Sequence, residues 1–186
     1  MTHAELVHRA KGWLRRQGYR VVVGEVSTLA GEIPDAMAFA PTKPSMLVEC
    51  KASRSDFLAD AKKFFRRKPG RGMGRLRYFL TPPGLVQPQE LPEGWGLLHA
   101  HPRKIEVKAK AVFMDGPLVD RQEGILLASL LMRVELAHEG GLDALLAAYT
   151  DKCRAMAAGS LDRSKALRER QGRRSQVIAR MGEDAA

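Results

Sequence analysis

Two tripeptides in the chain have the form Glu-x-Lys: Glu49-Cys50-Lys51 and Glu106-Val107-Lys108. Each sits in a stretch that reads as a β-strand, so in each the glutamate and the lysine project to one face. Only the first has an aspartate upstream at useful range. Asp35 lies on the preceding predicted strand, whereas no Asp occurs from Ala61 to Phe113. A hairpin turning near Thr42, seven residues from each, sets Asp35 opposite Glu49. Directly paired residues bring their Cβ atoms to about 5 Å on one face, so Asp35, Glu49 and Lys51 converge. Two carboxylates with carbonyl or water oxygens suit an octahedral Mg²⁺, for which Mn²⁺ can substitute. Such an ion polarises a phosphoryl oxygen and lowers the pKa of a bound water. A neighbouring lysine orients that water or stabilises the developing charge. The backbone carbonyl of Cys50 is a further ligand, while its side chain points to the opposite face and reads as core. The competing reading of the same residues is a surface salt-bridge cluster without chemistry.

The residues after the first tripeptide favour chemistry. From Lys51 to Arg77 there are ten Lys or Arg against two acids, Asp56 and Asp60. Arg54, Lys62, Lys63, Arg66, Arg67, Lys68, Arg71 and Arg75 stand where a phosphate backbone has to be held. Other candidates are weaker. Gly70-Arg71-Gly72-Met73-Gly74 precedes a strand and lacks the Lys-Ser/Thr ending of a P-loop. His99-Ala100-His101 is a lone pair at a strand end, and Trp95 reads as a core anchor.

The elements that must position these residues follow from local pattern. Thr2-His3-Ala4-Glu5 is a capping box, so a helix begins there. Leu6, Ala10, Trp13 and Leu14 give it an apolar stripe, and Gly18 ends it. Strands are predicted over 19–23, 34–39, 45–51 and 76–81. Ser55 is the predicted cap of a short helix from Asp56 to about Phe65. Residues 96–100 and 105–108 read as a closing hairpin. Beyond Pro117 the texture becomes helical. The stretch from Asp120 to about Leu136 is apolar on most sides, so it should be buried against the core or against a second copy of the chain. Gly140-Gly141 breaks it before a further helix over 142–149. The expected division is a core over 1–112, a helical extension over 113–150 and a basic tail over 151–186. That tail, from about residue 162, reads as a solvated helix or a disordered segment.

The formal net charge of +10 favours a polyanionic partner, nucleic acid first and an anionic membrane surface second. Two distant cysteines build neither a disulfide framework nor a CxxC metal site. The longest apolar run, Ile125 to Met132, is far shorter than the roughly 20 residues that span a bilayer. The chain therefore reads as soluble, intracellular and cytoplasmic.

Pro34-Asp35 followed by Glu49-Cys50-Lys51 on an αβββαβ order resembles the PD-(D/E)XK nuclease superfamily over roughly residues 1 to 110. The longer stretch from Glu49 to Asp60 is similar to small phage and bacterial nuclease-like proteins and to the MmcB-like DNA repair group. The resemblance implies an α/β, restriction-endonuclease-like core, a mixed sheet flanked by helices, with a helical C-terminal extension. It implies a Mg²⁺-dependent nuclease acting on nucleic acid, DNA first, with Asp35 and Glu49 as metal ligands and Lys51 as the catalytic lysine. The superfamily often adds an acid from the first helix or strand. Glu25, in phase with Val21 and Val23, is the better placed, because Glu5 already has a capping role. Two alternatives remain: a nucleic-acid-binding protein on the same fold that does not cut or needs a partner, and an assembly protein working through helices 120–150.

Overall fold

The computed structural model describes residues 1–27, 32–63, 72–157 and 159. The first helix, α1, runs His3–Arg16 behind a complete capping box between Thr2 and Glu5. Leu6, Val7, Ala10, Trp13 and Leu14 are buried along one stripe of it. Each such large apolar side chain contributes about 1.5–3 kcal/mol by leaving water. Strands β1 (Val21–Val23), β2 (Ala36–Ala40) and β3 (Lys43–Cys50) follow as an antiparallel meander. Then come helix α2 (Arg54–Asp60), strand β4 (Leu76–Thr81), a 3₁₀ turn at Pro88–Glu90, and strands β5 (Gly96–Ala100) and β6 (Ile105–Ala109). The order to this point is αβββαβ followed by a hairpin.

The six strands form one sheet in sequence order. β3 pairs with β4, and β4 with β5, in parallel, whereas the outer pairings are antiparallel. Alternation along the strands makes two cores. Ala36, Ala38, Met46, Val48, Cys50, Tyr78, Leu80 and Leu98 pack against α1. Met37, Leu47, Phe79 and Leu97 face the other way, joining Phe57 of α2, Trp95 and Leu126. Glu49 and Lys51 continue the phase of Leu47, so they belong to the face that α2 covers.

One helix differs from the sequence expectation. The N-cap of α2 is Ser53, whose hydroxyl accepts from Asp56 N, so the helix starts two residues before the position expected from Ser55. Ser53 wins because its extended backbone (φ −136°, ψ 159°) leaves β3 in the conformation an N-cap needs. That helix also stops at Asp60, short of Phe65. The stretch expected to be apolar on most sides and buried against the core or a second copy lies in α3 (Pro117–Ala137). Val119 and Leu126 are buried, yet Leu127, Leu131, Met132 and Leu136 are exposed. Gly140 and Gly141, both at positive φ, end α3, and residues 141–157 are helical. Contacts divide the chain at 130, into Met1–Leu130 and Leu131–Ala186, because the first half of α3 packs into the core. Among the described residues no helix is long and apolar enough to cross a membrane.

Candidate functional site

The β2–β3 register pairs Ala36 with Val48, Met37 with Leu47 and Ala38 with Met46. Continued one step, it sets Asp35 beside Glu49; at the turn Ala40 pairs with Lys43, and the shift between Ala38 and Ala40 brings the strands into this register. Asp35 itself lies just before β2, so no backbone partner from β2 reaches the end of β3. Its side chain takes over: Asp35 Oδ2 accepts the Cys50 N–H at 2.7 Å. In a strand a residue's N–H and C=O point to the same side, so the Cys50 carbonyl shares that side with Asp35. Asp35 Oδ1 lies 3.4 Å from His3 Nε2 at the start of α1. The Cys50 thiol is pushed well above its ordinary pKa, first by burial, then by the carboxylates of Asp35 and Glu49. Its side chain is core against α1.

Glu49 and Lys51 are almost fully buried, at 1% and 3% exposure. Lys51 Nζ stands 3.5 Å from Glu49 Oε2, 3.0 Å from Asp60 Oδ1 and 3.8 Å from Asp56 Oδ1. Burial works against its charge, but Glu49 and then Asp60 outweigh it, and its pKa sits above the ordinary lysine value. Lys51 is thus a buried cation ringed by three carboxylates. Asp56 and Asp60 lie one helical turn apart on α2, so both reach the same point. An Asp-x₃-Asp pair in a helix just after Glu-x-Lys is the sequence signal for this ring. Counted only as charges, the two acids oppose the basic run, and that count hides their pairing with Lys51.

Glu25 is not carried along the strand phase. β1 ends at Val23, and Glu25 turns into the left-handed region at φ 57°. Its carboxylate, 58% exposed, approaches Lys11 of α1 at 4.0 Å. Glu5 is held by the capping box. The second tripeptide lies on the edge strand β6, where Glu106 contacts Lys108 at 3.5 Å and His101 at 2.8 Å. His101 is thereby engaged, and His99 is buried beside it.

The basic run is less unopposed than the sequence reads. Arg54 pairs with Glu90, Lys63 with Asp60 at 2.9 Å, and Arg75 with both Asp115 (2.5 Å) and Asp120. Lys62 is exposed. Arg66, Arg67, Lys68, Arg71 and the tail from residue 162 lie outside the described residues. At 72–75 four side chains hold the backbone. Met73 N donates to the buried Glu32, Gly74 N to Glu123 of α3, and Arg75 N to Ser45. The buried Arg77 donates to the carbonyls of Gly72 and Gly74. Burial pushes the Glu123 carboxyl above its ordinary pKa, against the hydrogen bonds from Ser45 and Gly74. No motif announces these contacts, since each of the carboxylate and hydroxyl contacts joins residues far apart in sequence.

Among the described residues no three or more His, Cys, Asp or Glu side chains gather closely enough to hold a metal ion. The donors at the end of β3 are fewer: the carboxylates of Asp35 and Glu49 and the Cys50 carbonyl. All are hard oxygens. Mg²⁺ is commonly held by one or two carboxylates, completing its shell with water and phosphate oxygens. The set therefore fits that ion, and it does not fit a closed zinc site of nitrogen and sulfur ligands.

No model of a known protein family matches the chain, and no curated protein matches it. Among solved structures it is similar to the SPO1766 protein of unknown function from Silicibacter pomeroyi. The TM-score is 0.53 at 23% identity, over 72% of this chain and 91% of that one. At that identity the likeness shows a shared α/β fold alone: an N-terminal helix, a six-stranded mixed sheet and C-terminal helices.

Proposed function

We propose that the chain is a Mg²⁺-dependent nuclease with a restriction-endonuclease-like core of the PD-(D/E)XK type, hydrolysing phosphodiester bonds of DNA. One observation carries the reading. The β2–β3 register brings the Asp35 carboxylate onto the Cys50 backbone beside Glu49, and the Lys51 ammonium stands 3.5 Å from Glu49. The αβββαβ order and the mixed sheet are what such a core requires.

When bound, Mg²⁺ would polarise a phosphoryl oxygen and make its water a better nucleophile. The chain's own residues do the rest. Asp35 and Glu49 supply the negative charge that draws a hard cation to the end of β3. Asp35 stays oriented because one oxygen is fixed on the Cys50 N–H. Lys51 is fixed as a cation and offers its charge to the phosphoryl oxygens as negative charge develops there. Lys62, exposed just after α2, is a basic residue placed to hold the backbone.

Purified protein incubated with linear, nicked and branched DNA and with RNA, with and without Mg²⁺, tests the reading. Metal-dependent cleavage that Glu49→Gln abolishes supports it. Binding without cleavage at any Mg²⁺ or Mn²⁺ concentration overturns it in favour of a non-cutting DNA-binding protein.

A further inference from the structure

Asp60 is 2% exposed and sits at the last turn of α2, where it meets two lysines through one oxygen. Asp60 Oδ1 is 3.0 Å from Lys51 Nζ on the inside and 2.9 Å from Lys63 Nζ on the outside. Asp60 is the carboxylate closest to the Lys51 ammonium, nearer than Glu49 at 3.5 Å or Asp56 at 3.8 Å, and it is buried with it. The helix that carries Asp60 is itself fixed to the sheet. Ser53 caps its start, and Phe57 packs edge-on against Phe79 of β4 with ring centroids 5.2 Å apart. Asp56 adds a weaker contact to Lys51 at 3.8 Å from a side chain 45% exposed. Lys51 follows the end of β3, with its backbone N–H on Leu80 O at 3.0 Å. Its backbone is therefore set by the sheet and its ammonium by α2.

We propose that Asp60 is a positioning residue for Lys51, holding its ammonium group beside Glu49 and keeping it from turning out to solvent or toward the substrate's other phosphates. The inference deepens the nuclease reading and rests on it for its catalytic consequence. Its structural content, that Asp60 immobilises Lys51, stands apart from any activity. Removing the carboxylate charge while keeping its shape takes away the nearest partner of the Lys51 ammonium and leaves the longer contacts to Glu49 and Asp56, so Lys51, on a flexible stem, moves.

The experiment has two arms on the full chain. In the first, amines are acetylated at fixed pH with a water-soluble reagent and each lysine is followed by mass spectrometry. In the wild type, Lys51 should react at least about tenfold more slowly than the exposed Lys62, as expected of a buried, paired ammonium. Equal rates overturn the proposal, and this measurement needs no variant to fold. In Asp60→Asn, Lys51 should approach the Lys62 rate, whereas Asp60→Glu, which restores the charge, should keep it slow. A folded Asp60→Asn protein in which Lys51 stays slow overturns the proposal. In the second arm the same variants are assayed on DNA with Mg²⁺. Asp60→Asn should lower kcat by about 100-fold, the scale of a misplaced catalytic group. KM should change little, and Asp60→Glu should recover much of the loss. A rise in KM at unchanged kcat assigns Asp60 to binding and overturns positioning. Wild-type protein that cuts nothing sinks the nuclease reading, while the acetylation arm still decides whether Asp60 holds Lys51.

Discussion

At the scale of single residues, Glu49 and Lys51 differ in what their removal does. Glu49→Gln preserves size and removes charge from the candidate metal site. Cleavage should fall by at least about 100-fold, because a hard cation binds weakly without its carboxylates. DNA affinity without metal should hold or rise slightly, since one repelling charge is gone. Lys51→Ala should also abolish cleavage, and its burial adds a second effect. Glu49 loses its ammonium partner while Asp60 keeps Lys63, and breaking a buried pair typically costs about 3–5 kcal/mol. Chemical denaturation should show that loss for Lys51→Ala and a smaller one for Glu49→Gln. Glu106→Gln and Lys108→Ala, on the half-exposed edge strand, should leave cleavage and stability near wild type. Cleavage and unfolding curves measured on these four variants check the set. Equal loss of cleavage from the β6 pair would place the reacting centre on β6 instead of β3.

At the scale of elements, α2 is the piece that turns a strand end into a site. Its cap is a single hydrogen bond from Asp56 N to Ser53 Oγ, 3.2 Å long. Ser53→Ala should cost about 1 kcal/mol of stability and lower kcat through looser placement of Asp56 and Asp60. Unfolding and turnover measured together check both consequences. A second anchor of the helix is Arg54, which grips Glu90 and the Leu85 carbonyl in the β4–β5 crossover. The Arg54 guanidinium first, and the Gln87 N–H next, hold the Glu90 carboxyl down to about 2. A depressed carboxylate stabilises the fold at pH above its ordinary value of 4.5, and that contribution disappears as pH falls toward 2. Carboxyl titration followed by NMR should therefore place Glu90 near 2 in the wild type and closer to 4.5 in Arg54→Gln. An unchanged midpoint in the variant would show that the guanidinium does not grip Glu90 in solution.

At the scale of the whole molecule, charge decides encounter with nucleic acid. The chain carries +10 overall, yet Arg54, Lys63 and Arg75 are already met by acids within the fold. Much of the long-range attraction then falls to residues elsewhere. Residues 162–186 contain seven Lys or Arg against four acids. Deleting them should lower DNA affinity and reduce the slope of log affinity against log salt by about 0.9 for each phosphate that is no longer neutralised. Binding isotherms at several salt concentrations on the same duplex would show this. An unchanged slope would assign the tail a role other than phosphate binding.

Local physics is legible in the sequence, and it positions a good part of the candidate site. The Thr2–Glu5 capping box, the α1 stripe and the period-two alternation each depend on neighbours within a few residues. They predict α1, the strands and the two faces of the sheet. The pairing expected from a turn centred on Thr42 is reached through an irregularity: at the turn Ala40 pairs with Lys43, a register that would set Asp35 opposite Val48, and the shift between Ala38 and Ala40 moves it to Glu49. Glu25 shows the limit: nothing local reveals that its backbone leaves the strand at φ 57°. Nor does the sequence show where charges find partners. Arg54 meets Glu90 across 36 positions, and Arg75 meets Asp115 and Asp120 across 40 and 45. Lys51 is captured by Asp60 because Phe57 seats α2 on Phe79, a contact that exists only once β4 has paired with β3. Coulomb pairing depends on distance in space, and distance in space is set by how the elements pack.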